Sequence, residues 1–278
     1  VAWQDGLTEA HMSALMGGVD SSEPTVRTET LRLLRLADRN LPQLTLDSHL
    51  EAVRTGRGLP LPHDVNPSKS EKAAVAEGRA EAACRALEVA GVVSEGLTDE
   101  ERGERLAETV ATISSALRTG NPKHRVWLEG VQTVIADLNA SPAVFRRAFL
   151  DALARHLASD PADPTAAVLV TTAAVEYPVG DASASIDALI AALPAAAPSV
   201  QELVVLALVP LLARLRDRSE ATARVVAALK AVADDPGVIR HMAKRCAEVV
   251  LIVERDLVDA VVQRSKSRAV SSLRPGIN

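Results

Sequence analysis

Residues 121–164 read NPKHRVWLEGVQTVIADLNASPAVFRRAFLDALARHLASDPADP. Three expected helix starts in this stretch have a polar residue directly before a proline: Asn121-Pro122, Ser141-Pro142 and Asp163-Pro164. Proline at the first helical position loses nothing, because its missing N–H would lack an intrahelical partner there. Asn, Ser or Asp just before it can cap the free N–H groups of the first turn. The pattern continues to Asp235, and the expected helix starts fall into two interleaved series. One series is Asn121-Pro122, Asp163-Pro164, Pro198-Ser199 and Asp235-Pro236; the other is Ser141-Pro142, the neighbourhood of Asp181, and Ser219. Within each series the spacing is roughly 35 to 42 residues, the period of two-helix solenoid units. The expectation is an all-α chain of about 11 to 13 helices. It forms one α-solenoid over residues 1–278, with an ordinary helical bundle as the competing architecture.

Composition agrees with stacked helices. The chain has 278 residues, of which 47% are hydrophobic but only 2% aromatic. Ala, Leu and Val carry the apolar content, and Ala and Leu are strong helix formers that let helices approach closely. The net charge of −5 provides no bulk attraction toward nucleic acid. Cys84 and Cys246 lie far apart in helical patterns, as free thiols of a reducing compartment would. The longest apolar run, Leu203 to Ala213, is well short of a membrane span. No signal-peptide pattern opens the chain. These features point to a cytoplasmic protein, and the Val1 start to a piece of a longer chain or larger assembly.

Taken in order, Thr8 to Met16 forms a short opening helix. Met12 and Met16 with His11 could supply soft metal ligands, but with no further ligand nearby they read as packing. Glu23-Pro24 starts a helix to Asp38 whose buried stripe is Val26, Thr30, Leu33, Leu34 and Ala37. Leu44 to Thr55 is its partner, stopped by Gly56. Residues 56–67 follow as an irregular Pro/Gly loop that could present Arg57, Leu59, Leu61 and His63. Ser68 to Val93 is an Ala-rich helix with the stripe Ala73, Ala76, Ala80, Ala83, Leu87 and Ala90, which Gly78 and Gly91 could loosen. Thr98 to Glu101 has the form of a capping box. It starts a helix to Leu117 with Leu106, Val110, Ile113 and Leu117 buried. Pro122 to Leu138 and Pro142 to Ala158 make the next pair, the second burying Val144, Phe145, Ala148, Phe149, Ala152, Leu153 and Leu157. Then come Pro164 to Val175, Asp181 to Leu193, Ser199 to Arg216 with Pro210 as an expected kink, Ser219 to Ala233, and Pro236 to about Gln263. Residues 265–278 read as a frayed tail.

The fragment Pro24-Thr25-Val26-Arg27, followed by Leu31 and Leu34, resembles HEAT and armadillo repeats, whose first helices often begin with an acidic residue and Pro, then Val-Arg. Pro236-Gly237-Val238-Ile239-Arg240 echoes it, with Ala243 in the next turn. Elsewhere the Val-Arg pair is missing or shifted, as at Arg125-Val126. The resemblance implies a right-handed α-α superhelix of about five to six helix pairs. It also implies a protein that binds peptides, domains or larger assemblies.

No Gly-rich phosphate loop, GxSxG or HExxH occurs, and the histidines at 11, 49, 63, 124, 156 and 241 have no ligand spacing. No cofactor and no catalytic residue is expected. The candidate site residues are basic: Lys123, His124 and Arg125 with Trp127; Arg146 and Arg147 with Arg155 and His156; Arg214, Arg216 and Arg218; Arg240, Lys244 and Arg245. From Val238 to Asn278 eight Lys and Arg face four Asp and Glu. Such groups can be a solvated face or a ridge that accepts an acidic partner. Arg146, Arg147, Arg240, Lys244 and Arg245 are the partner-binding positions expected. The leading function is a non-enzymatic protein-interaction scaffold. The alternatives are a nucleic-acid-binding HEAT-like protein, which low aromatic content and acidic charge argue against, and a structural segment of a larger adaptor or transport protein.

Overall fold

The computed structural model describes residues 8–57, 71–120, 126–177, 182–215, 219–234 and 240–252. These residues form twelve α-helices and no strand. In chain order they are α1 (Glu9–Val19), α2 (Pro24–Ala37), α3 (Leu41–Thr55), α4 (Glu71–Val93), α5 (Asp99–Gly120) and α6 (Leu128–Ala140). The remainder are α7 (Ala143–Ser159), α8 (Pro164–Glu176), α9 (Ser183–Ala192), α10 (Pro198–Ala213), α11 (Ser219–Asp234) and α12 (Arg240–Ile252). None of the described helices is long and apolar enough to cross a membrane. The chain divides into two compact units, Val1–Thr98 with Thr112–His124, and Asp99–Ala111 with Arg125–Asn278.

In the first unit α2 packs on α1, α3 and α4, and α3 packs on α4. The buried face of α2 differs from the stripe read in the sequence. Arg27, Thr30, Leu31 and Leu34 are buried, while Val26 is 46% and Leu33 44% exposed. The cause is Arg27. Its Nε and Nη2 donate to the Glu88 carboxylate at 2.8 and 2.6 Å, and its Nη1 to the carbonyls of Ser21 and Ser22 at 2.7 and 2.9 Å. Turning this guanidinium inward, with four hydrogen bonds, rotates the helix by one position and carries Val26 and Leu33 outward. Helix α3 starts earlier than Leu44, at Leu41 with Pro42 in its first turn, and ends where Gly56 takes the left-handed conformation (φ 70) that glycine adopts at no steric cost. Helix α4 runs unbroken through Gly78 and Gly91. Its core side is Ala82, Ala83, Ala86, Leu87, Val89 and Ala90, whereas Ala76 is exposed.

The second unit has a regular pattern of neighbours. Helix α6 packs on α8, α8 on α10 and α10 on α12, while α7 packs on α9 and α9 on α11. Helices α7, α9 and α10 also close on α8. Two bonds fix how α6 lies against α8. At the start, the Trp127 N–H donates to Thr165 Oγ1 (3.1 Å); at the end, the Tyr177 hydroxyl donates to Asn139 Oδ1 (2.6 Å). Start meets start and end meets end, so the two helices run parallel and in register, each pair 38 residues apart. Arg214, just past α10, reaches the Ala174 carbonyl near the end of α8, 40 residues back.

Helix α8 is buried all round: every residue from Thr165 to Val175 is inaccessible. Its sequence, PTAAVLVTTAAVE, has no polar face to expose, which is the mark of an enclosed helix. Asp163 caps it from a fully buried position, accepting from the Thr165 and Ala166 N–H groups at 3.0 Å each.

Several boundaries depart from the sequence reading. Helix α6 begins at Leu128, not Pro122, because Val126 and Trp127 lie outside the helix, Trp127 with φ −79 and ψ 89. Trp127 is buried, and its ring lies so close to Gly130 that a Cβ there would come within 2.2 Å. Pro142 precedes α7 as its cap residue rather than opening it, and Val144 in the first turn is 43% exposed. Phe145, Ala148, Phe149, Leu153 and Leu157 are buried as expected; Ala152 is only partly so. Helix α10 stays one helix through Pro210. The first turns of α5 cross α7 at Gly103, where a Cβ would meet the Phe145 carbonyl oxygen at 2.4 Å.

Candidate partner-binding surface

The ends of α6 and α8 and the residue after α10 meet along one edge of the second unit. Helix C-termini carry free carbonyls and a partial negative charge. Arginine side chains answer both. Arg146 donates from Nε to the Leu138 carbonyl (2.7 Å) and from Nη2 to that of Asn139 (3.1 Å), closing the end of α6. The same guanidinium lies 4.7 Å from the centre of the Tyr177 ring, within cation–π range. Burial pushes the Tyr177 phenol above its ordinary pKa, against the opposing effect of Arg146. Arg214 closes the end of α8 through its bond to Ala174, and burial lowers its pKa. Arg146 is therefore engaged inside the unit as well as lying at its surface. Asn139, Tyr177 and Arg214 join it in a set that the basic-cluster reading did not assemble. The contacts that bring them together span 38 and 40 residues of sequence.

The other expected positions are exposed. Arg147 lies on the outer side of α7, with Asp151 and Arg155 one and two turns on. Burial raises the Asp151 pKa, and Arg147 and Arg155 oppose that. Arg155 also reaches Glu104 at 3.5 Å. His156 is a structural neighbour, its Nε2 3.2 Å from Asp163 Oδ2. On α12, Arg240, Lys244 and Arg245 are all exposed. The two groups lie on helices with different neighbours, since α7 packs on α8 and α9 while α12 packs on α10 and α11.

Lys123, His124, Arg125, Arg216 and Arg218 lie outside the described residues, as do Leu59, Leu61 and His63 of the loop. Arg57 is exposed. His11 is occupied at the start of α1, where its Nδ1 accepts from the Thr8 N–H and its own N–H donates to Thr8 Oγ1. No group of three His, Cys, Asp or Glu that could hold a metal occurs among the described residues. No family model, curated protein or solved structure matches the chain.

Proposed function

We propose that the chain is a non-enzymatic protein-interaction scaffold whose helix pairs stack into a right-handed superhelix resembling HEAT and armadillo arrays. The observation that carries this reading is the register of α6 on α8, repeated by Arg214 on Ala174, at separations of 38 and 40 residues. Stacking of that kind makes an extended surface from equivalent positions of successive units and needs no deep pocket. Arg147, Arg240, Lys244 and Arg245 are the exposed cations available to a partner, with Arg146 supporting the edge beside Arg147. Cys246, a buried free thiol, fits a cytoplasmic setting.

Affinity capture of binding proteins from lysate, repeated at two salt concentrations, tests this. Reproducible capture of one protein is expected. Reversing Arg147 and Arg240 to Glu together should slow association with it at low salt, since surface charges act mainly on encounter rate. Salt-sensitive capture of DNA or RNA in place of protein supports the nucleic-acid reading instead.

A further inference from the structure

Several surface cations in this protein are paired within the fold. Arg32 pairs with Glu29 and Glu95, Arg54 with Glu51, Arg102 with Asp99, Arg155 with Glu104, and Arg224 with Asp187. On helix α12 three cations lie close together without such pairs. Its buried side is Ala243, Cys246, Ala247 and Val250. Its exposed side presents Arg240, His241, Lys244 and Arg245 before the first acid, Glu248. None of the three permanent cations is within ion-pair distance of a carboxylate among the described residues, and all three are exposed.

The arrangement also works against the helix. Arg240 and Lys244 stand four apart, a spacing at which like charges repel. For helix stability alone, a carboxylate at either place would serve better.

We propose that the exposed side of α12 is a docking site for an acidic segment of a protein partner, bound through Arg240, Lys244 and Arg245. This rests on the scaffold reading. Residues four apart on a helix are about 6 Å apart along its axis. Alternate side chains of an extended chain are about 6.7 Å apart on one side. The ligand that matches is therefore an extended segment with acids at alternate positions. Its carboxylates accept charge-assisted hydrogen bonds from the two guanidinium groups and the ammonium.

The test uses the full chain and a fluorescent 12-residue peptide with Glu at every second position, read by anisotropy at about 50 and 300 mM salt. Controls are the same peptide with Gln for Glu, an anionic phospholipid vesicle, and single-stranded DNA. Two variants carry the same charge change: K244E/R245E on α12 and R39E/R57E elsewhere. The expected result is binding of the Glu peptide but not the Gln peptide, weakened about tenfold or more by K244E/R245E and less than about twofold by R39E/R57E. Far-ultraviolet circular dichroism establishes that both variants stay helical. Equal weakening by both variants means bulk charge and overturns the site, as does absence of peptide binding. Tighter binding of vesicles or DNA than of peptide overturns the choice of partner. Should K244E/R245E still capture a protein from lysate at the wild-type rate, the scaffold reading survives and the α12 site does not.

Discussion

Phe149 and Leu153 are fully buried on consecutive turns of α7, so truncating either leaves a cavity the surroundings cannot wholly fill. Phe149→Ala or Leu153→Ala should cost about 2 to 5 kcal/mol in urea melts. Arg57→Ala, at an exposed position, should cost less than about 0.5 kcal/mol; equal losses would refute the core assignment. Arg27 behaves differently because its partner Glu88 is also largely covered, the side chains being 9% and 28% exposed. Arg27→Ala leaves that carboxylate unpaired in the first unit and should cost about 3 kcal/mol, far more than Arg54→Ala at the surface. His49 adds a pH dependence. Burial, then the neighbouring Arg85 charge, lowers its pKa below the ordinary 6.5. The unfolded chain then binds the proton more readily than the folded one, so stability falls as pH drops through 6.5 toward the folded value. Thermal melts from pH 8 to 5.5 should show this loss, and His49→Gln should flatten that part of the profile. An unchanged slope in the variant would assign the dependence to another group.

Two helical glycines make opposite predictions at the scale of elements. A Cβ on Gly91 in α4 meets nothing within 4 Å, so Gly91→Ala should stabilise by about 0.4 to 1 kcal/mol through the unfolded chain. A Cβ on Gly103 in α5 meets backbone of α7, the Phe145 oxygen at 2.4 Å and the Phe149 nitrogen at 3.0 Å. The crossing would have to open, so Gly103→Ala should destabilise by about 1 to 3 kcal/mol; urea melts decide both signs. The sequence announces neither difference. Helix existence was legible because Pro and cap residues act locally, as at Asp163-Pro164 and Pro198. Which side of a helix faces inward was less so. In α2 the apolar periodicity pointed to Val26 and Leu33, and a single long-range pair, Arg27 with Glu88 across 61 residues, overrode it. At Trp127 a contact with Thr165 in α8 displaced the start of α6. Both depend on partners distant in sequence, which local patterns cannot contain.

At the scale of the molecule, the second unit has a centre. Helix α8 is enclosed on all sides by its neighbours, whereas α12 exposes one whole side to solvent. Hydrogen exchange followed by mass spectrometry should find the α8 amides slowest and those of α12 markedly faster; protection as strong in α12 would contradict this ranking. The all-helical character and the exposed basic residues of α12 could be read in advance from periodicity and charge. The edge formed by Asn139, Arg146, Tyr177 and Arg214 could not, because it exists only once α6, α8 and α10 are aligned. The buried side of α12 also holds Cys246, whose thiol burial raises to a pKa of about 11. At neutral pH that sulfur is protonated and covered, and alkylating reagents act on exposed thiolate. Its alkylation therefore waits for α12 to lift, and the rate of label uptake becomes a clock for that motion, started by reagent and stopped by acid. An occupied α12 surface should slow the clock.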